Sequence, residues 1–142
     1  MKKILITGGS GMIGHAFRGI KPDATFVSSR NFDLRSVEQT ETMFAMYEPD
    51  QVIHLAAKVG GIKANMENLG DFYTDNILIN TNVLGCAKKY KVEKLISVLS
   101  TCIYPDKVSY PMTEDQIHAG QPHKSNYAYA HAKRMLDIQS KA

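Results

Sequence analysis

The run Thr7-Gly8-Gly9-Ser10-Gly11-Met12-Ile13-Gly14 limits what this chain can fold into more than any other stretch. It follows the apolar residues Ile4-Leu5-Ile6 and leads into a helical pattern. Glycines at 8, 11 and 14 let a backbone turn tightly off a strand, approach a pyrophosphate closely and pack the new helix against a sheet. The free amides and the positive dipole end of that helix then face the phosphates. A trio of glycines also occurs in ordinary tight turns. The strand before it and the helix after it make this one a dinucleotide fingerprint. Gly8, Ser10, Gly11, Met12, Ile13 and Gly14 are therefore expected to hold a cofactor.

Further along, apolar runs bounded by turn residues alternate with helical patterns. Strands are expected over 3–7, 24–28, 52–57 and 94–100, and helices over 12–19, 36–47, 71–90 and 126–141. Ser36 is placed to cap the second helix, with Val37, Thr40, Phe44 and Tyr47 along one face. Phe72, Ile79, Val83 and Ala87 are among the apolar positions of the third. The alternation predicts an α/β fold, a Rossmann-type doubly wound parallel sheet with helices on both faces. At 142 residues, the chain fits one domain over 1–142. Ligands collect at the carboxyl ends of such strands, where Ser10, Ser28 to Arg30, Ala56 to Lys58 and Ser100 to Cys102 fall.

Charge and composition narrow the partners. The net charge of +3 is mild and the basic residues are scattered, which argues against nucleic acid. The apolar run after Met1-Lys2-Lys3 stops at Thr7-Gly8-Gly9, too short for a secretory signal or a membrane span. Cys86 and Cys102 form no metal or disulfide pattern, which suits a reducing cytoplasm.

Chemistry concentrates in a few residues. The second strand ends in Ser28-Ser29-Arg30, where a carboxylate would meet a free ribose 2′-hydroxyl. An arginine and hydroxyls suit a 2′-phosphate instead, so NADP(H) is expected over NAD; the plainer role for Arg30 is a solvated loop charge. Asp33 and Leu34 are placed to bracket an adenine ring, and Asp33 could equally be a turn residue. Tyr129 and Lys133 lie one helical turn apart on one face, where an ammonium favours phenolate. Ser100 ends the fourth strand and is placed to bond the same substrate oxygen. Cys102, two residues on, is either a proton-transfer thiol or a small buried hydrophobe. Tyr127 points elsewhere, Cys86 reads as core and His54 as a hydrogen-bonded core histidine.

The fingerprint, the strand-end serine and Tyr-xxx-Lys resemble the extended short-chain dehydrogenase/reductases. Three stretches are more specific: His54-Leu55-Ala56-Ala57-Lys58-Val59-Gly60-Gly61-Ile62, Ser100-Thr101-Cys102-Ile103-Tyr104-Pro105 and Asn126-Tyr127-Ala128-Tyr129-Ala130-His131-Ala132-Lys133. They resemble the branch that epimerises and then reduces GDP-4-keto-6-deoxy-mannose with NADPH. The resemblance implies a reductase group of Ser100, Tyr129 and Lys133, with Cys102 as an epimerisation acid/base. It also implies cofactor contacts from Leu55, Ala56, Ala57 and Lys133. Members of the family run to about twice this length, with a substrate domain and a second acid/base, a histidine, further along. The chain is thus expected to be an N-terminal cofactor-binding part, poorly active or inactive alone, with an unpaired edge on its sheet. Expected partners are a GDP-sugar and either a second copy or a complementing C-terminal chain, with no nucleic acid and no membrane. Two alternatives stay open: a non-catalytic NADP-binding module, and another sugar-nucleotide epimerase/reductase of the same family.

Overall fold

Ile4, Leu5 and Ile6 are apolar on both faces, as a strand inside a parallel sheet must be, and β1 (Ile4–Thr7) takes that inner place. The computed structural model describes residues 2–142; Met1, which opens the short charged start, lies outside them. β2 (Thr25–Val27), β3 (Gln51–His54) and β4 (Lys94–Ser97) complete a parallel sheet in the order β2-β1-β3-β4. Leu5 pairs with Thr25 on one side and Val52 on the other, and Val52 pairs with Leu95. The helices are α1 (Met12–Ile20), α2 (Val37–Tyr47), α3 (Ile62–Glu67), α4 (Leu69–Lys89) and α5 (Tyr127–Lys141). This is the Rossmann-like α/β arrangement expected. Strand order reverses at β1, so the loops leaving β1 and β3 flank the switch point where such sheets bind ligands.

The chain forms two compact units, Met1–Ala57 with Leu78–Val98, and Lys58–Ile77 with Leu99–Ala142. In the first, alternation along the strands puts Leu5, Val27, Val52 and Leu95 on one face. Met43 and Phe44 of α2 and Val83, Cys86 and Ala87 of α4 pack against it. Ile6, Phe26, Ile53 and Ile96 point the other way, and Arg18 of α1 lies 4.3 Å above the Phe26 ring. Ile6 is fully buried whereas Ile96, on the outer strand β4, is 44% exposed. Among the described residues β4 pairs with β3 alone, which is the open edge expected.

Several boundaries differ from the sequence reading. Strands expected to reach 57 and 100 stop at His54 and Ser97. The Ala56 N–H donates to the Thr7 hydroxyl at 3.2 Å, not to a neighbouring strand, and Ser100 leaves to cap a turn. In α2, Ser36 caps the Gln39 N–H as expected, but Val37 is 52% exposed and Met43 is fully buried. α3 was not anticipated. Its six residues are too few to display a 3.6-residue period, and its N-cap, Gly61, offers no capping side chain.

The second unit carries one-turn 3₁₀ segments at Thr101–Ile103 and Lys124–Asn126, a longer one at Glu114–His118, and then α5. α5 buries Ala128, Ala130, Ala132, Lys133, Arg134 and Leu136. Among the described residues no helix is long and apolar enough to cross a membrane.

Candidate active site and nucleotide cradle

In the first unit, the loop after β1 is built around bare backbone. Gly8 has φ +71°, and a Cβ there would lie 2.8 Å from the Ala56 nitrogen. A Cβ at Gly14 would lie 2.6 Å from the Gly8 carbonyl oxygen, so helix and loop meet only without one. Gly9, which the fingerprint does not count, is equally confined, since its Cβ would meet that of Phe26 at 2.8 Å. The Gly11 N–H donates to the Gly8 carbonyl at 3.0 Å and closes the turn. α1 then starts with no side-chain cap and no acid in its first turn. The amides at Met12, Ile13 and Gly14 are orphan donors at the positive end of a helix, next to exposed Ser10. These features fit a dinucleotide pyrophosphate.

Behind the cradle, Thr7, His54 and Asn80 form a buried chain. Thr7 Oγ1 accepts from Ala56 N–H and donates to His54 Nδ1 at 2.8 Å, because the imidazole proton sits on Nε2, facing the acceptor oxygen of Asn80. The Nε2–H of His54 then donates to Asn80 Oδ1 at 3.1 Å. All three side chains are within 1% of complete burial. His54 is the hydrogen-bonded core histidine read from sequence, and it fixes the strand ends that present half-buried Leu55, Ala56 and Ala57.

At the end of β2, Ser28 donates from both N and Oγ to Asn31 Oδ1, at 3.0 and 3.1 Å. Its Oγ accepts from the Arg30 N–H at 3.3 Å, which shapes a turn with Arg30 exposed. Asp33 has local partners: the Arg35 N–H and guanidinium both bind its carboxylate and hold its pKa below the usual value. Leu34 is 8% exposed and belongs to the core cluster. The Asp33 contacts are local, within the turn that follows β2.

In the second unit, a cavity of about 200 Å³ is lined by Val59, Gly60, Asn65, Ser100, Cys102, Asn126 and Tyr129. Three of the four residues expected to be catalytic thus meet at one void, and Lys133 follows Tyr129 by one turn of α5. Ser100 Oγ accepts from the Cys102 N–H at 3.3 Å and caps the turn Thr101–Ile103. Burial raises the Tyr129 phenol above its ordinary value; a hydrogen bond with Ser100 opposes this and the nearby Cys102 reinforces it. Lys133 is 3% exposed, and burial pushes its pKa down from 10.5 to about 8. Burial is the leading cause for both groups, and the lowering of the phenol expected from Lys133 is not among the causes that move Tyr129. Cys102 is a free, half-buried thiol, and Cys86 is buried in the first unit's core as expected. Tyr127 is 48% exposed and meets the His131 ring edge-on, away from the cavity.

Sequence reasoning missed the side chains that shape one cavity wall. Asn76, fully buried, accepts from the Lys58 N–H at 3.0 Å and donates to the Lys58 carbonyl at 2.9 Å, bracketing that residue's backbone. Asn65 donates to the carbonyls of Gly60 and Gly61 at 2.9 and 3.1 Å. Lys58 itself pairs with Asp75 at 2.8 Å. An asparagine in a helical stretch reads as a solvated face; the one signal was its recurrence close to Gly60-Gly61.

The sheet order and the glycine cradle are those of a Rossmann-like nucleotide-binding fold. Residues 4–142 match the NAD dependent epimerase/dehydratase family, and the chain belongs to that family. Within it, the chain is 46% identical to a probable GDP-L-fucose synthase of Drosophila melanogaster, over 100% of this chain and 46% of the relative. It is 45% identical to GDP-L-fucose synthase of Dictyostelium discoideum, over 99% of this chain and 46% of that one. A crystal structure of a GDP-L-fucose synthetase from Naegleria fowleri bound to NADP superposes with a TM-score of 0.90 at 44% identity, covering 99% of this chain and 47% of that one. The chain spans about half the length of these relatives.

Proposed function

We propose that the chain is the NADP-binding half of an NADPH-dependent 3,5-epimerase/4-reductase that converts GDP-4-keto-6-deoxy-mannose to GDP-L-fucose. The observation that carries this reading is the cavity that joins Ser100, Cys102 and Tyr129, since a module that only binds nucleotide needs no proton-transfer groups. The likeness to GDP-L-fucose synthases supports the choice of substrate, and the NADP-bound relative supports the cofactor.

The cradle from Gly8 to Gly14 would hold the pyrophosphate, and Arg30 with Ser28 and Ser29 would meet the 2′-phosphate. When bound, NADPH supplies hydride for the carbonyl carbon. Tyr129, whose raised pKa keeps the phenol protonated at neutral pH, donates its proton to the carbonyl oxygen, and Ser100 holds that oxygen by its hydroxyl. Lys133 contributes positive charge below its pKa of about 8. Cys102 exchanges a proton at carbon next to the carbonyl, where the C–H is acidic because the resulting enolate places its charge on oxygen.

Calorimetric titration with both cofactors tests the NADP assignment. NADPH binds more tightly than NADH, and Arg30→Ala narrows the preference by roughly 1.5–3 kcal/mol if the guanidinium pairs with phosphate. Equal affinities, or tighter NADH, overturn it. Turnover of GDP-4-keto-6-deoxy-mannose by the chain alone, followed by absorbance of the reduced cofactor, is expected at background. Robust GDP-fucose formation without a second polypeptide overturns the reading as half of a site.

A further inference from the structure

Arg134 follows Lys133 on α5 and is 4% exposed, a cation with no carboxylate partner among the described residues. Its one hydrogen bond among them runs from Nε to the Ile103 carbonyl at 2.7 Å, and its Nη2 is buried without a partner. An unpaired buried charge opposes folding, and an apolar side chain of the same length fills such a place more favourably. The side chain is therefore retained for the bond it makes. Ile103 closes the single turn Thr101–Ile103, where the Ile103 N–H also reaches the Ser100 carbonyl at 3.1 Å. Cys102 thus sits between two ties, the Ser100 cap on one side and the Arg134 bond on the other.

We propose that Arg134 is a positioning residue that fixes the turn bearing Ser100 and Cys102 to the helix bearing Tyr129, so that hydroxyl, thiol and phenol address one substrate. The bond is shielded from water, which stiffens it. The role rests on the reading of Cys102 and Tyr129 as partners in one reaction, but its test needs no turnover.

Two variants separate the bond from the charge. Arg134→Met keeps the length of the side chain and puts a methyl where Nε stands, while Arg134→Gln puts an uncharged N–H there. The readout is the rate of Cys102 alkylation by iodoacetamide, resolved from Cys86 by peptide mass spectrometry, beside the urea midpoint of each variant. Arg134→Met is expected to speed alkylation about fivefold, the factor that loss of one hydrogen bond allows for local opening, with no fall in the urea midpoint. Arg134→Gln keeps the wild-type rate. An unchanged rate in folded Arg134→Met overturns the proposal, as does an acceleration that only follows a loss of global stability. Should Arg134→Met not fold, Arg134→Gln decides: the wild-type rate supports the tie, and a faster rate at unchanged stability overturns it. Each outcome is independent of the NADPH titration, which judges the underlying functional reading separately.

Discussion

Burial moves two titratable groups of α5 in opposite directions, the Tyr129 phenol up and the Lys133 ammonium down. For Lys133 the sign is worked out from its folded pKa of about 8 against an ordinary 10.5. Between those values the unfolded chain binds more protons, so stability rises with pH through that window, and the full penalty stands below it. Lys133→Met is therefore expected to be more stable than wild type at pH 7, by about 1–3 kcal/mol. The gain shrinks as pH approaches 10. Urea unfolding of both proteins at pH 7 and pH 10 measures this, and a gain independent of pH excludes the ammonium as its cause. Tyr129 and Cys102 separate by the step each serves. In a complete active site, Tyr129→Phe lowers reduction by about 10²–10⁴ because the ring stays and the proton is lost. Cys102→Ser slows exchange of carbon-bound substrate hydrogen with D₂O, which needs no NADPH turnover. Mass spectrometry of recovered substrate reads that step, and wild-type exchange in Cys102→Ser reduces the cysteine to packing. These residues were legible because their spacing carries chemistry: a four-residue separation on a helix, a strand-end hydroxyl, a thiol two positions on. Arg134 and Asn65 were not, because what they do is set by a carbonyl that folding brings to them.

Among the elements, strands and long helices could be read because their apolar residues repeat over enough turns to fix a period. The ends could not, since Thr7 competes for the Ala56 N–H and Ser100 for that of Cys102 through side chains that a pattern does not show. Asn76 and Asn80 look polar on α4 and yet are almost fully buried, because each satisfies a specific partner. The helical glycines divide by surroundings. Gly85 of α4 is exposed, with nothing within 4 Å of where a Cβ would stand. Gly85→Ala is expected to stabilise the chain by about 0.5–1 kcal/mol through helix propensity. At Gly14 of α1 the Cβ would strike backbone at 2.6 Å, too close for a flexible neighbour to yield. Gly14→Ala is expected to cost about 1–3 kcal/mol and to weaken NADPH binding as the loop is pushed aside. Urea midpoints and calorimetry on the two variants check both, and a neutral Gly14→Ala refutes the packing argument.

For the whole molecule, the parallel sheet was legible from the alternation of strands and helices, and its outer strand β4 carries the exposed Ile96 expected of an open edge. The division into two compact units was not, because one of the three changes of unit falls inside α4, where the helical pattern runs on without a break. Cofactor binding should be visible in the stability of the chain: NADPH at about 100 times its Kd adds about 2.7 kcal/mol, and NADH at the same concentration adds less. Urea midpoints with each cofactor measure the difference, and equal shifts contradict the NADP preference. Gly8 extends this to inheritance. Any amino acid reached by one base change from a glycine codon brings a Cβ, and at this position, with φ +71°, that atom meets the Ala56 backbone at 2.8 Å. Position 8 therefore has no neutral first step. In a saturation library selected for NADPH binding, it returns glycine, whereas position 85 drifts freely.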